Sequence, residues 1–215
     1  MTKTNINRQI WNIISNDIAI QKCLSVDIVN NRALAKYLIK KYNLSFSLDG
    51  VLSAVRRYTA EETFEEYTKE VDQTLGKMVV LTKNNVAMIK LKTEAFTNIA
   101  NDYLTKLVLK HNFRMLKTKE VIKIFVNQKN LEEKLQAFAS EFVLGTKPNL
   151  CEIRIILEDD ATYVRGLLSK IASELTLHQV NIHDIIVGVP EILIYVEEKD
   201  LVTAQKCMME LRNGV

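Results

Sequence analysis

Apolar positions in the first part of the chain recur at three- and four-residue steps, the period of an amphipathic helix. Ile6, Ile10, Trp11, Ile13 and Ile14 follow this spacing after Thr4 or Asn5, either of which suits a helix cap. The Ser15-Asn16-Asp17 cluster interrupts the pattern. A short run through Ile18, Ile20 and Leu24 then leads into Val26-Asp27-Ile28-Val29, too brief to separate strand from turn. Ala33, Leu34, Tyr37, Leu38 and Tyr42 predict a second helix opened by Asn30 or Asn31, and Leu48, Val51, Leu52, Val55 and Tyr58 predict a third capped by Ser47. An acidic helix should follow, opened by the capping box Thr59-Ala60-Glu61-Glu62, with Phe64, Tyr67, Val71 and Leu75 on one face and Gly76 at its end.

Beyond residue 76 the pattern changes to strands and helices and is written twice. In the second copy Cys151 to Leu157 alternates as a strand. Asp160 can cap a helix carrying Val164, Leu167, Leu168, Ile171, Ala172 and Leu175. Val180 to Val187 and Ile192 to Val196 form strands around the turn Gly188-Val189-Pro190-Glu191, and Leu201 to Leu211 closes as a helix. The first copy reads Val86 to Lys92, a helix from Thr93 to His111, strands Phe113 to Lys117 and Val121 to Asn127, and a closing helix from Leu131 to Phe142. Ile122 to Val126 falls on Ile192 to Val196 at an offset of 70 residues. Lys77 to Leu81, joined to Val86 by Thr82-Lys83-Asn84-Asn85, adds a strand at the front. The expected fold class is α+β: an all-helical module over 1–58, an acidic connecting helix over 59–76, and two βαββα repeats over 77–147 and 148–215. Their strands should form an antiparallel sheet with helices on one face.

Composition narrows the function classes. The three cysteines, Cys23, Cys151 and Cys207, are widely spaced, which argues against a disulfide framework or zinc site. The opening residues lack an apolar signal core, and no run reaches the ~18–20 apolar residues of a membrane helix, so a cytoplasmic protein is expected. Six Gly and two Pro leave little material for phosphate-cradling loops, and no cofactor is expected. The formal net charge of +3 conceals four blocks: +6 over 1–58, −5 over 59–75, +7 over 76–148 and −5 over 149–215. Opposite signs on the two repeats favour their mutual pairing.

The helix-turn-helix spacing, with Arg32, Lys36, Lys40 and Lys41 on one element and Arg56 and Arg57 closing the next, resembles a winged-helix or helix-turn-helix domain. The resemblance implies that these six residues neutralise phosphates of duplex DNA while the third helix enters the major groove. Ser47, Asp49 and Gly50 on that helix are not the side chains with good base-edge geometry, so a unit used for protein contact or dimerisation remains the alternative.

Gly166-Leu167-Leu168-Ser169-Lys170-Ile171, followed by Val180-Asn181-Ile182 and an apolar hairpin, resembles the ACT domain, an amino-acid-sensing regulatory module of ferredoxin-like topology. The first copy keeps Asn112-Phe113 but lacks the Gly-Leu-Leu element and is a degenerate ACT-like repeat. The whole chain is similar to archaeal-type regulators of amino-acid metabolism that join a helix-turn-helix-like segment to ACT domains. The resemblance implies a homodimer or higher homo-oligomer and an effector amino acid held by Asp159, Asp160, Ala161, Thr162 and Asn181, with Asn112 as the matching position in the first copy. Backbone N–H groups at a helix N-terminus suit its carboxylate. Tyr163 and Arg165 depart from the family loop, and the helix is expected to begin a turn early, leaving Gly166 inside it. The alternative is that Asp160 is only a helix cap and Asn181 only a turn residue.

His178, His183 and Asp184 lie close in sequence, but their spacing fits neither a helix face nor one side of a strand, so no metal is expected. Gly-x-Ser-x-Gly is absent and no cysteine neighbours a histidine. The expectation is therefore a non-enzymatic regulator sensing an amino acid and acting on DNA, or else a regulatory or scaffolding subunit whose helical module binds a protein.

Overall fold

The computed structural model describes residues 5–58, 63–98, 114–159, 161 and 164–214. The chain divides into two compact units, Met1–Lys69 and Glu70–Val215.

The first unit is helical: α1 (Ile6–Ser15), α2 (Ile18–Ser25), α3 (Asn31–Tyr42), α4 (Leu48–Arg56) and the start of α5 (Thr63–Gly76). Four side chains that accept from backbone N–H groups open the first four helices. Asn5 accepts from Asn7, Asp17 from Ile20, Asn30 from Arg32 and Ala33, and Ser47 from Gly50. The segment that left strand and turn open is α2 followed by a turn in which Asp27 has φ 53°. Ile10 and Ile14 pack with Leu34, Ala35 and Leu38 and with Val51, Leu52, Ala54 and Val55, and Ile20 and Leu24 of α2 lie against this core. The Trp11 indole donates to the Ala54 carbonyl at 2.9 Å, satisfying its one polar atom. The capping box expected at Thr59 to Glu62 lies outside the described residues.

The second unit is built on one six-stranded antiparallel sheet. Its strands are β1 (Val79–Lys92), β2 (Arg114–Lys117), β3 (Val121–Asn127), β4 (Val143–Ile156), β5 (Asp184–Gly188) and β6 (Glu191–Glu197), in the order β2-β3-β1-β4-β6-β5. The order is palindromic: from the edge inward each repeat contributes its middle strand, its last strand and its first strand, in mirror sequence. Short 3-10 turns at Gln128–Asn130 and Glu198–Asp200 lead into α7 (Leu131–Leu135) and α9 (Leu201–Asn213), again 70 residues apart. Of the helix expected over 93–111, only α6 (Ala95–Asn98) is described.

Three expectations are corrected. The two strands expected at Lys77 to Leu81 and from Val86 are one 14-residue strand, β1, because Asn85 absorbs the irregularity as a bulge at φ 54°. β4 is equally long and begins at Val143, so the boundary expected between 147 and 148 lies within a strand. The closing helix of the first repeat stops at Leu135, with a 3-10 turn at Ser140–Phe142 in place of its end.

The long strands explain how the repeats join. The second half of β1 pairs with β3, while its first half crosses over to pair Val79 to Lys83 with Ile156 to Glu152 of β4. The second half of β4 pairs with β6, and its first half lies on β1. Each three-stranded repeat thus gains a fourth strand from the other. The crossing is marked by Asn85 and Asn149, both left-handed, at φ 54° and 57°. Between them Val86 pairs with Leu150, its own counterpart at the strands' offset of 64.

The sheet is curled, and the described helices lie on its outer side. In the first repeat Ala87, Ile89, Leu91, Ile122, Ile124 and Val126 pack under Phe138, Leu131 and Leu135. In the second, α8 (Leu167–Leu177) buries Leu167, Ile171 and Leu175, and α9 buries Ala204, Cys207, Met208 and Leu211, packing on α8, β4 and β6. The inner faces meet each other. Val86, Met88 and Phe125 of one repeat form a core with Leu150, Leu193 and Tyr195 of the other.

Candidate functional site

The basic residues expected to meet DNA lie on the first unit. Arg32, Lys36 and Lys40 recur every four residues on α3, which sets them in one stripe, and all three are exposed. Arg56 ends α4 and Arg57 follows it, both exposed. Lys41 is engaged locally: its ammonium lies 3.4 Å from Asp17 and 5.2 Å from the ring centroids of Tyr37 and Tyr42. The Ile20 backbone N–H first, and then the Lys41 ammonium, hold the Asp17 carboxyl below its ordinary range against the opposing effect of burial.

The expected effector loop leaves β4 at Ile156. Asp159 is exposed, whereas Ala161 is buried and its backbone N–H donates to the Glu158 carbonyl at 3.1 Å. Asp160, Thr162 and Asn112 lie outside the described residues. The helix does not begin early. Gly166 stands outside α8 as its N-cap, at φ 84°, a conformation that favours glycine, and contributes no side chain to the cap. The N-terminal N–H groups available to a carboxylate are therefore those following Gly166, rather than that of Ala161. Asn181 is exposed in the segment between α8 and β5. Among the described residues no hydrogen bond joins it to Asp159.

A polar network between the repeats lies on the inner side of the sheet. The Tyr195 hydroxyl donates to Glu152 at 2.9 Å, and Arg154 donates to the other Glu152 oxygen at 3.1 Å, so a carboxylate with only 4% exposure is met on both oxygens. Burial and the neighbouring Glu152 carboxylate push the Tyr195 hydroxyl well above its ordinary range. Lys123 of β3 donates to Asp184 of β5 at 2.6 Å, and His183 faces the second Asp184 oxygen at 3.2 Å. Arg114 of β2 lies 3.9 Å from Glu191 of β6. These contacts join strands separated by three others in the sheet, which is direct evidence of its curl. Repeat one supplies the cations Arg114 and Lys123, and repeat two the anions Asp184 and Glu191, as the opposed charge blocks implied.

Sequence reasoning weighs His183 and Asp184 only as metal ligands and does not single out Glu152, Arg154, Tyr195, Arg114, Lys123 or Glu191. The signal was present in Glu152-Ile153-Arg154, two charges on one side of an otherwise apolar strand, and in the offset of 70 that superimposes Asp184 on Arg114 and Tyr195 on Phe125.

An open pocket of about 470 Å³ lies on the second repeat, lined by Lys147, Pro148, Asn149, Glu197, Glu198 and Lys199. Its cations are already partnered, Lys147 at 2.8 Å and Lys199 at 3.0 Å from Glu197. Their hydrogen bonds hold the Glu197 carboxyl down at about 2. Among the described residues no group of three His, Cys, Asp or Glu is placed to hold a metal, and no helix is long and apolar enough to cross a membrane. Burial pushes the Cys151 and Cys207 thiols up, the wrong direction for a nucleophile.

No protein-family model and no curated protein matches the chain. Solved structures do share its fold. An allosteric aspartate kinase from Clostridium acetobutylicum aligns over 61% of this chain and 34% of its own, with a TM-score of 0.50 and 18% identity. The aspartokinase alpha and beta subunits align over 62% of this chain and 97% of theirs, with a TM-score of 0.51 and 13% identity. The ligand-free regulatory subunit of aspartate kinase from Thermus thermophilus aligns over 61% and 95%, at 0.50 and 13%. The chain thus spans about a third of the Clostridium enzyme. At these identities the likeness is one of fold.

Proposed function

We propose that this chain is a non-enzymatic cytoplasmic regulator whose two ACT-like repeats sense a small molecule, an amino acid, and whose N-terminal helical module carries the bound state to duplex DNA. The observation that carries the reading is the palindromic sheet, in which two βαββα repeats exchange strand ends, in the fold found in aspartate kinase regulatory subunits. In this reading the repeats occupy 77–142 and 143–215, and the helical module 1–58. The effector carboxylate sits at the N-terminus of α8 and its ammonium meets Asp159 or Asn181, with Asp160, Ala161 and Thr162 shaping the loop and Asn112 serving the first repeat. A ligand changes output only if it binds one arrangement of the repeats better than another.

Arg32, Lys36, Lys40, Lys41, Arg56 and Arg57 supply the phosphate contacts, Lys41 after leaving Asp17. The end strand β5, with Ile185 and Val187 exposed on it, supports side-by-side pairing of two chains. A second reading has an observation in its favour. Ile18, Val26 and Ile28 are 59%, 57% and 72% exposed on the helical unit, surface that suits a protein partner better than DNA.

Two measurements on the full chain test the proposal. A thermal-shift panel of amino acids should contain one that raises the melting temperature, with the shift abolished in Asn181→Ala. Binding to duplex DNA should weaken steeply with salt, and Arg56→Ala with Arg57→Ala should lower both affinity and salt slope. A panel without a response at millimolar concentration removes the sensing role, and no DNA binding at low salt leaves the protein-contact reading.

A further inference from the structure

We propose that Arg114 and Arg154 form an anion site between the two repeats, filled at rest by the chain's own Glu191. Arg154 reaches Glu191 at 3.6 Å and Arg114 at 3.9 Å, each guanidinium meeting a different carboxylate oxygen. Both distances exceed the hydrogen-bond range, so Glu191 balances charge without completing a bond to either group. Arg154 shows what a completed bond looks like here, since its Nη2 donates to Glu152 at 3.1 Å. The Nε atoms of both arginines are buried and, among the described residues, have no hydrogen-bond partner. Two neighbouring guanidiniums with unused buried donors are an unusual expense in a folded core, because an unmade buried hydrogen bond costs about 1–3 kcal/mol.

Glu191 is suited to leave. Its side chain is 38% exposed, against 5% for Glu152, so moving it into solvent uncovers no buried carboxylate. It stands at the first residue of β6, directly after the turn at Val189-Pro190. A small oxyanion taking its place can approach both guanidiniums at hydrogen-bond distance, with the planar, charge-assisted geometry that arginine offers carboxylates and phosphates. The ligand class is therefore a carboxylate or a phosphate carried by a small molecule. Arg114 lies on the outer strand of the first repeat and Arg154 on the first strand of the second. An anion held by both ties the repeats together, independently of the loop before α8.

The test uses the full chain and two probes, inorganic phosphate and acetate, each compared with chloride at equal ionic strength by isothermal titration calorimetry. Glu191→Gln removes the internal competitor and should bind at least one probe about tenfold more tightly than the unaltered chain. Adding Arg114→Gln to that variant should abolish the gain while leaving the Arg154–Glu152 pair intact. Phosphate preference assigns the site to phosphate groups, and an equal or stronger acetate response assigns it to carboxylates. The proposal is overturned if Glu191→Gln binds neither probe more tightly than the unaltered chain, or if the gain survives Arg114→Gln.

Discussion

Phe125 and Tyr195 occupy the same place in the two repeats, 70 residues apart, and their rings stack on each other with centroids 3.8 Å apart and planes within 9°. The contact lies where the inner faces of the repeats meet. Its two halves have different surroundings: the Tyr195 hydroxyl meets Glu152, and the residue matching Glu152 at the strands' offset of 64 is Met88. A duplicated chain can differentiate its halves in a way that two identical subunits cannot.

Tyr195→Phe keeps the stack and removes one donor from a buried carboxylate. It should destabilise the second unit by about 1.5–3 kcal/mol. The matching change, Phe125→Tyr, places a hydroxyl beside apolar Met88 and should also destabilise, by about 1–3 kcal/mol, although the rings are interchangeable in size. Urea unfolding of the two variants checks this. Equal stability of Tyr195→Phe and the unaltered chain would show that Arg154 alone satisfies Glu152.

The left-handed bulges at Asn85 and Asn149 give a backbone prediction. Asn tolerates this conformation and a β-branched residue does not, at a cost of about 1–2 kcal/mol. Asn149 also exchanges two hydrogen bonds with Gln128, at 2.6 and 2.9 Å, whereas no such pair is seen at Asn85 among the described residues. Asn149→Val should therefore lower stability more than Asn85→Val, and Asn149→Gly less than either. Thermal unfolding followed by circular dichroism gives the order.

These bulges also mark where the sequence misleads. Thr82-Lys83-Asn84-Asn85 has the composition of a turn, and only the partner strand 64 residues away makes it continuous. Val86, Ala87, Met88 and Ile89 are buried on both sides of the sheet, so they lack the alternation that identifies a half-exposed strand. The cap Ser47 is legible, and those at Asn5 and Asn30 to within one residue, because capping depends on neighbours two or three residues away. The pairing of Arg114 with Glu191, and of Lys123 with Asp184, depends on the curl of the whole sheet. No local pattern encodes that, although the opposed charge blocks foretold its sign. At the effector loop, Val164 fits the helical spacing and points to an earlier start of α8. The backbone of Gly166 decides otherwise.

Glu197 yields a pH prediction. Held between Lys147 and Lys199, its carboxyl titrates at about 2 in the folded chain. The unfolded value is about 4.3. A depressed carboxyl contributes stability that is fully present above the unfolded value and is lost as pH falls through the folded one. The window is therefore about pH 4.5 down to 2, with no effect near neutrality. Carboxyl titration by NMR should find Glu197 below the other exposed glutamates, and Lys147→Ala should move it upward. Because these side chains are partly exposed, added salt should have the same effect in smaller degree.

The Lys123–Asp184 pair tests whether charge specifies the pairing of the repeats. Lys123 is 24% and Asp184 9% exposed, and His183 lies beside the same carboxylate. Lys123→Met leaves Asp184 without its main cation and should cost about 2 kcal/mol, below the ~3–5 kcal/mol of a fully buried pair. Lys123→Asp should cost more, since it adds repulsion to the loss. Restoring opposite charges with Asp184→Lys in the Lys123→Asp chain should recover part of the stability, giving a favourable coupling of about 1 kcal/mol or more in a double-mutant cycle. His183 limits the recovery, because its imidazole would then face an ammonium. Additive effects would mean that the aromatic stack and its apolar neighbours, Val86, Met88, Leu150 and Leu193, hold the inner faces together without help from the charges.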